Sequence, residues 1–441
     1  MAIEVDTLID ARWIIPVEPA GEVLDQSSLV IDRGAIRDLL PTAAAQQRYA
    51  AREHLRLPQH ALIPGLINLH THAAMSLMRG LADDVSLMDW LNHHIWPAER
   101  QYVSDEFVFD GTLLACAEML HGGVTCFNDM YYFPEAAARA ALASHMRATL
   151  GIVVIDFPSA YASDAQDYLS KGLATRDALR HEPLLDFCLA PHAPYTVSDA
   201  SFSQLLTYAG QLDLTIHMHV HETAHEVAES VSRFGVRPLA RLQGLGLLGP
   251  GFIAVHAVHV DDEEIARLAE HGSHVAHCPS SNLKLASGVA PIHALTQAGV
   301  NVGLGTDGAA SNNRLDVWSE MRLAALLAKA ASGSAESIPA EMALAMATIN
   351  PARALGLDEK IGSLRIGKCA DVVAIDLSAA ELAPCYDPVS HLVYAAGREH
   401  VSHVWVNGKL LLKDGESTVL DSEELKAKAN LWRKRISPLA A

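Results

Sequence analysis

Pro64-Gly65-Leu66-Ile67-Asn68-Leu69-His70-Thr71-His72 is an apolar run that ends in His-x-His. Strand side chains alternate faces, so residues two apart point the same way. If the run is a strand leaving a core, His70 and His72 both aim at whatever lies beyond its carboxyl end. Two imidazoles converging from one short rigid element suit a zinc-type ion, which prefers nitrogen donors. Taken alone, the pair reads equally well as two surface histidines at a strand end.

The rest of the chain supplies the frame. Its 441 residues exceed one small core and suit a large barrel plus a smaller module. Half of them are hydrophobic, yet no uninterrupted apolar stretch reaches membrane-spanning length. The first residues, Met1-Ala2-Ile3-Glu4-Val5-Asp6, lack the basic start and greasy run of a secretory signal. A formal net charge of −19 argues against nucleic-acid backbones or anionic lipid as partners, and solubility explains it more simply. The six cysteines are scattered with no Cys-x-x-Cys pair, and read as reduced core residues of a cytoplasmic protein. Histidine, with 23 copies, is the group in which to seek ligands.

Both ends of the chain are β-rich. Leu29-Val30-Ile31-Asp32-Arg33-Gly34-Ala35-Ile36 reads as strand, turn, strand. Ala370-Asp371-Val372-Val373-Ala374-Ile375 reads as a buried strand, and Val401-Ser402-His403-Val404-Trp405-Val406 alternates before an Asn407-Gly408 hairpin turn. The expectation is that 1–64 and 361–441 pair into one flanking β-sandwich, closed by a helix over 422–435. Residues 65–360 form the central domain.

In that centre, eight strand candidates begin near Gly65, Gly123, Ala148, Leu184, Leu214, Phe252, Ser273 and Asn301. Helical segments lie between them, among them 105–121 and 262–271, and 315–331 and 340–349 follow the last. Eight β/α repeats predict an α/β fold of the (β/α)8 TIM-barrel type, with a doubly wound sheet as the alternative. No Gly-x-Gly-x-x-Gly follows a strand, which weakens that alternative.

Barrel active sites form at the carboxyl ends of the strands. Strand one ends in His70 and His72. Strand five carries His217, His219 and His221 on one face, followed by Glu222. Strand six ends in His256, and strand eight in Gly305-Thr306-Asp307-Gly308. Four strand ends carrying ligand-type residues favour the metal reading over chance.

The chain resembles the amidohydrolase superfamily over nearly its whole length. More narrowly it resembles deaminases of 5′-methylthioadenosine and S-adenosylhomocysteine, near the triazine hydrolases and guanine deaminases. The residues that carry the resemblance are 64–72, His219-Val220-His221-Glu222-Thr223, His277-Cys278-Pro279-Ser280-Ser281-Asn282 and Gly305-Thr306-Asp307-Gly308. Pro351-Ala352-Arg353-Ala354-Leu355-Gly356 and Gly367-Lys368-Cys369-Ala370-Asp371 add to it.

The resemblance implies one divalent metal held by His70, His72, His219 and Asp307. Zinc is expected, though iron(II) also suits such donors. His217 competes with His219 for the strand-five place. His219 is preferred because Glu222 then falls three residues later, where the family places its proton carrier. No lysine closes strand four (Leu189-Ala190-Pro191-His192), so no second, bridged metal is expected.

The reaction implied is hydrolytic deamination by a metal-activated hydroxide. Glu222 protonates a ring nitrogen, Asp307 accepts the water proton, and His256 holds the attacking oxygen. The bland alternative for Glu222 is an acid at a helix start.

For the substrate, the resemblance implies that Glu99 takes the ribose hydroxyls, that Trp90, nine residues earlier, packs near the 5′ group, and that His192 also reaches the sugar. Ser311 would touch the base edge. Their bland alternatives are a helix-core tryptophan, a solvated charge and a turn serine. After strand three, where relatives handling S-adenosylhomocysteine carry arginines, this chain has Asp156-Phe157-Pro158-Ser159-Ala160-Tyr161 and no arginine before Arg176. Phe157 and Tyr161 offer apolar surface and Asp156 would repel a carboxylate. The expected substrate is therefore 5′-methylthioadenosine, with adenosine second. S-Adenosylhomocysteine, guanine or a chlorotriazine, or a catalytically silent metal protein, are the alternatives. A homodimer or larger homo-oligomer is compatible with the family.

Overall fold

A computed structural model describes residues 2–437. Its centre is a sheet of eight parallel strands in sequential order. They are Leu66–Thr71, Val124–Asp129, Arg147–Val154, Leu185–Pro191, Ile216–Val220, Phe252–His256, His274–His277 and Asn301–Leu304. Each begins within two residues of its sequence-derived start. Most are buried along their whole length, as near-continuous apolar runs covered on both faces should be.

The eighth strand returns to the first and closes the barrel, which removes the doubly wound alternative. The seam is tight because its residues are small. A Cβ on Gly303 would lie 2.7 Å from Leu69 Cδ2, and one on Gly305 would lie 2.8 Å from the His70 backbone nitrogen. The backbone N–H groups of Thr306 and Asp307 both donate to the His70 carbonyl, at 3.1 and 3.0 Å. The Asn68 side chain bridges to Thr306, accepting from its N–H at 3.0 Å and donating to its hydroxyl at 2.7 Å. The strands bearing His70 and Asp307 are thus bonded directly to each other.

The two chain ends form a second, mixed sheet of eight strands. Ile3–Ile14, Leu24–Asp32, Ala35–Pro41 and Tyr49–Pro64 come from the N-terminal side. Val372–Asp376, Val401–Val406, Lys409–Lys413 and Glu416–Ser417 come from the C-terminal side. Asn407 and Gly408 turn with φ of 50° and 76°, as a tight hairpin requires. The sheet folds over its own core, which packs Ile9, Leu29 and Ile31 with Val372, Ala374 and Trp405. It closes where Ala35 bridges to Cys369 and the Ala370 N–H donates to the Gly34 carbonyl at 2.8 Å.

Strand Tyr49–Pro64 runs through Gly65 into the first barrel strand, so the two sheets share one rigid connection. A buried ion pair, Arg147 Nε to Asp371 Oδ2 at 3.0 Å, pins the third barrel strand to the segment entering Val372–Asp376. The last helix, Ser422–Ile436, packs on barrel helix Asp105–His121, where Trp432 Nε1 donates to Asp110 Oδ2 at 2.9 Å. Among the described residues no helix is long and apolar enough to cross a membrane.

Candidate active site

Donor atoms of His70, His72, His219 and Asp307 lie within 4.8 Å of one another at the carboxyl ends of strands one, five and eight. His70 Nε2 and His72 Nε2 stand 3.3 and 3.2 Å from Asp307 Oδ1, and His219 Nε2 stands 3.2 Å from His70 Nε2. Three imidazole nitrogens and one carboxylate oxygen converging in a buried place are the donor set of a zinc-type ion.

Burial holds His70 down to about 4 and His219 well below its ordinary range. Burial opposes a proton on His72 as well, but its bond to Asp307 outweighs this and raises it to about 9.

Each ring is oriented from behind. His72 Nδ1–H donates to the Met130 carbonyl at 2.6 Å, and His219 Nδ1–H to the His192 carbonyl at 2.9 Å. In the neutral rings both bonds leave the Nε2 lone pair facing the cluster. His70 Nδ1 meets His217 Nε2 at 3.0 Å. His217 therefore sits one layer below the cluster and His219 sits in it. Asp307 Oδ2 accepts from the Ser281 hydroxyl at 2.6 Å and lies 3.0 Å from the Ser311 hydroxyl. Asp307 and His256 both hold left-handed backbone, with φ of 60° and 73°. Such strain in non-glycine residues persists where the surrounding structure fixes a side chain's aim.

Glu222 and His256 complete the wall above the donors, with His256 Nε2 3.8 Å from Glu222 Oε2. Burial raises the Glu222 pKa, which favours a carboxyl able to deliver a proton. His256 Nδ1–H donates to Asn282 Oδ1 at 2.8 Å. Ser281 and Asn282, neighbours on one short helix (Pro279–Lys284), thus steady Asp307 and His256 together.

These residues open into a cavity that also exposes Trp90, Glu99, Tyr131 and His192. Trp90 and Glu99 are nine residues apart, about two and a half turns of regular α-helix, and would face opposite ways. They share a wall because Trp90–Ile95 is a π-helical turn, in which the Trp96 N–H bonds to the Leu91 carbonyl five residues back. Pro97 supplies the reason. It has no N–H for the His93 carbonyl, and its ring crowds that carbonyl out of line. Glu99 accepts from the Tyr131 hydroxyl at 2.8 Å, and burial pushes its pKa up to about 7.

Three expectations need correction. Ser311 does not reach the cavity: it is buried behind Asp307, where its hydroxyl bonds the carboxylate. Asp156 does not face a substrate, because it accepts from the Ser198 N–H at 2.8 Å and the Ser201 hydroxyl at 2.7 Å at the start of helix Asp199–Leu212. Tyr161 is buried against Phe133 and Tyr168 instead of lining the pocket. The apolar wall comes from Tyr132, Val153, Ile155 and Phe157. Tyr131 belongs to none of the sequence motifs, and only its place just beyond strand two signalled it; Ser281 and Asn282 stand in the 277–282 motif, which gave them no role, and the structure sets them against Asp307 and His256.

The family model described as "Amidohydrolase family" matches residues 61–411. The chain is 48% identical over 431 residues to the 5-methylthioadenosine/S-adenosylhomocysteine deaminase of Saccharophagus degradans, covering 98% of this chain and 97% of that one. It is 49% identical over 432 residues to the protein of the same name from Teredinibacter turnerae, covering 98% of each. Among solved structures, an adenosine deaminase from Xanthomonas campestris with bound zinc superposes with a TM-score of 0.98 at 47% identity, over 99% of this chain and all of that one.

Proposed function

The chain belongs to the amidohydrolase family, and from that premise we propose that it deaminates 5′-methylthioadenosine and adenosine to the inosine analogues plus ammonia. The observation that carries this reading is one cavity with a His/Asp donor cluster and Glu222 on one side and the Trp90–Glu99 wall on the other. A ring to be hydrolysed fits against the first group and its sugar against the second.

His70, His72, His219 and Asp307 would hold one divalent metal. Zinc is supported by the donor set and by the zinc in the Xanthomonas campestris relative. When bound it supplies an activated water at neutral pH. Glu222 gives its proton to N1 of the purine, which makes C6 electrophilic. Asp307 takes a proton from the attacking water as the C6–O bond forms, and His256 holds that oxygen. The same proton passes from Asp307 to the departing amino group, which leaves as ammonia when the C6–N bond breaks. The second water proton returns to Glu222, replacing the one now on N1. His192 and Glu99 hold the ribose, and Trp90 packs near the 5′ end.

A small uncharged 5′ group is supported by the wall of Val153, Ile155 and Phe157; among the described residues no arginine lines this cavity, Arg100 lining instead the adjoining groove beside Trp96 and Glu99. A carboxylate-bearing homocysteine tail finds no arginine partner within the cavity itself. A cytoplasmic location is supported by the six cysteines, all free.

The test is a substrate panel of 5′-methylthioadenosine, adenosine and S-adenosylhomocysteine at matched concentration. Ammonia release and metal content are measured on the same sample. The expected order is the order given. Absence of turnover with all three in metal-loaded protein overturns the reading.

A further inference from the structure

We propose that Tyr131 is the second half of a diol-reading pair, so that Glu99 and Tyr131 together recognise the 2′- and 3′-hydroxyls of the ribose. The inference deepens the nucleoside reading above and rests on it.

The two residues come from different elements. Glu99 lies on helix Trp96–Tyr102, while Tyr131 follows the second barrel strand, and both line the cavity. The Tyr131 hydroxyl donates to Glu99 Oε1 at 2.8 Å, and no other hydrogen bond reaches the Glu99 carboxyl among the described residues. A phenol has one O–H to give. Spending it on Glu99 fixes the direction of the tyrosine oxygen's lone pairs. With Glu99 ionised, that leaves two acceptors in a pair of residues that both line the cavity, Tyr131 Oη and the second Glu99 oxygen. A cis-diol offers two adjacent O–H donors, one for each.

The tyrosine is held for this task. Its ring packs at 5.3 Å from that of Tyr132 and 6.3 Å from that of His72, and the residue is only 5% exposed. It also directly follows Met130, whose carbonyl orients His72. Consecutive residues therefore set a metal-type donor and the sugar reader, which ties the position of the ribose to that of the reacting carbon. The simpler account is a buried tyrosine whose hydroxyl merely needed a partner. The two accounts differ in what the loss of the hydroxyl does to analogues that lack the diol.

The experiment compares adenosine with 2′,3′-dideoxyadenosine in metal-loaded wild type and in Tyr131→Phe, with melting temperature and metal content as controls. The phenylalanine should lower kcat/KM for adenosine about tenfold, mostly through KM, and leave dideoxyadenosine unchanged, so that the selectivity ratio contracts about tenfold. In a Glu99→Gln background the same substitution should contract the ratio by much less, because the pair is already broken. An equal loss on both substrates, or an unchanged ratio, overturns the proposal while leaving the deaminase reading intact. Failure of the wild type to turn over adenosine, 5′-methylthioadenosine and S-adenosylhomocysteine alike overturns both.

Discussion

The His217 ring lies directly behind that of His70, Nε2 to Nδ1 at 3.0 Å, and its own Nδ1 is buried with no partner among the described residues. If His70 offers Nε2 to a metal, its Nδ1–H donates to His217. His217 then orients a ligand without being one. His217→Leu should weaken metal affinity roughly ten- to hundredfold in chelator competition, while the fully loaded variant keeps most of its kcat. His219→Ala should lose the metal outright.

Glu222 faces the cavity and holds no bond to the donor cluster, so its role separates cleanly from metal binding. Glu222→Gln should retain the metal and the wild-type melting temperature yet lose roughly 100- to 10,000-fold in kcat. A variant that kept near-normal kcat would remove Glu222 from the proton path.

Glu99 links the sugar site to stability. Its carboxyl is pushed from 4.5 up to about 7 by burial, so the folded state binds its proton more tightly than the unfolded chain does. The sign follows. Below about pH 4.5 both states are protonated and the residue costs nothing. From there to about pH 7 the folded protein loses stability as pH rises. Glu99→Gln, without substrate, should therefore raise the melting temperature by several degrees at pH 8 and by little at pH 5, read by thermal scans across that range.

Pro97 bends the substrate wall. Pro97→Ala restores an N–H for the His93 carbonyl and permits regular α-helix, which turns Trp90 away from Glu99. KM for the nucleoside should rise roughly tenfold or more, with no fall in melting temperature, because proline is unfavourable inside a helix. Unchanged KM would mean that the π-turn survives without its proline.

The Arg147–Asp371 pair joins barrel to flanking sheet with both side chains about 2% exposed. Removing one partner leaves a buried charge alone. Arg147→Met should cost about 3–5 kcal/mol, and the double change Arg147→Met with Asp371→Leu should recover much of it. Denaturant unfolding of the three proteins checks this.

The eight barrel strands and the ligand-bearing strand ends were legible in the sequence because they depend on local regularities. Apolar runs of strand length mark the buried elements, and a period of two puts His70 with His72 and His217 with His219 on common faces. That same period could not choose between His217 and His219, since both point inward. Depth in the barrel decides, and it is set by how the fifth strand registers against its neighbours. Ser311 and Asp156 failed for a related reason: a polar residue near a strand end can serve the substrate or the scaffold, and only its partners tell which. The π-turn that brings Trp90 round to Glu99, and the meeting of Glu99 with Tyr131 from separate elements, arise from contacts between distant parts of the chain. Sequence determined which residues could do the chemistry; tertiary packing determined which of them face one another.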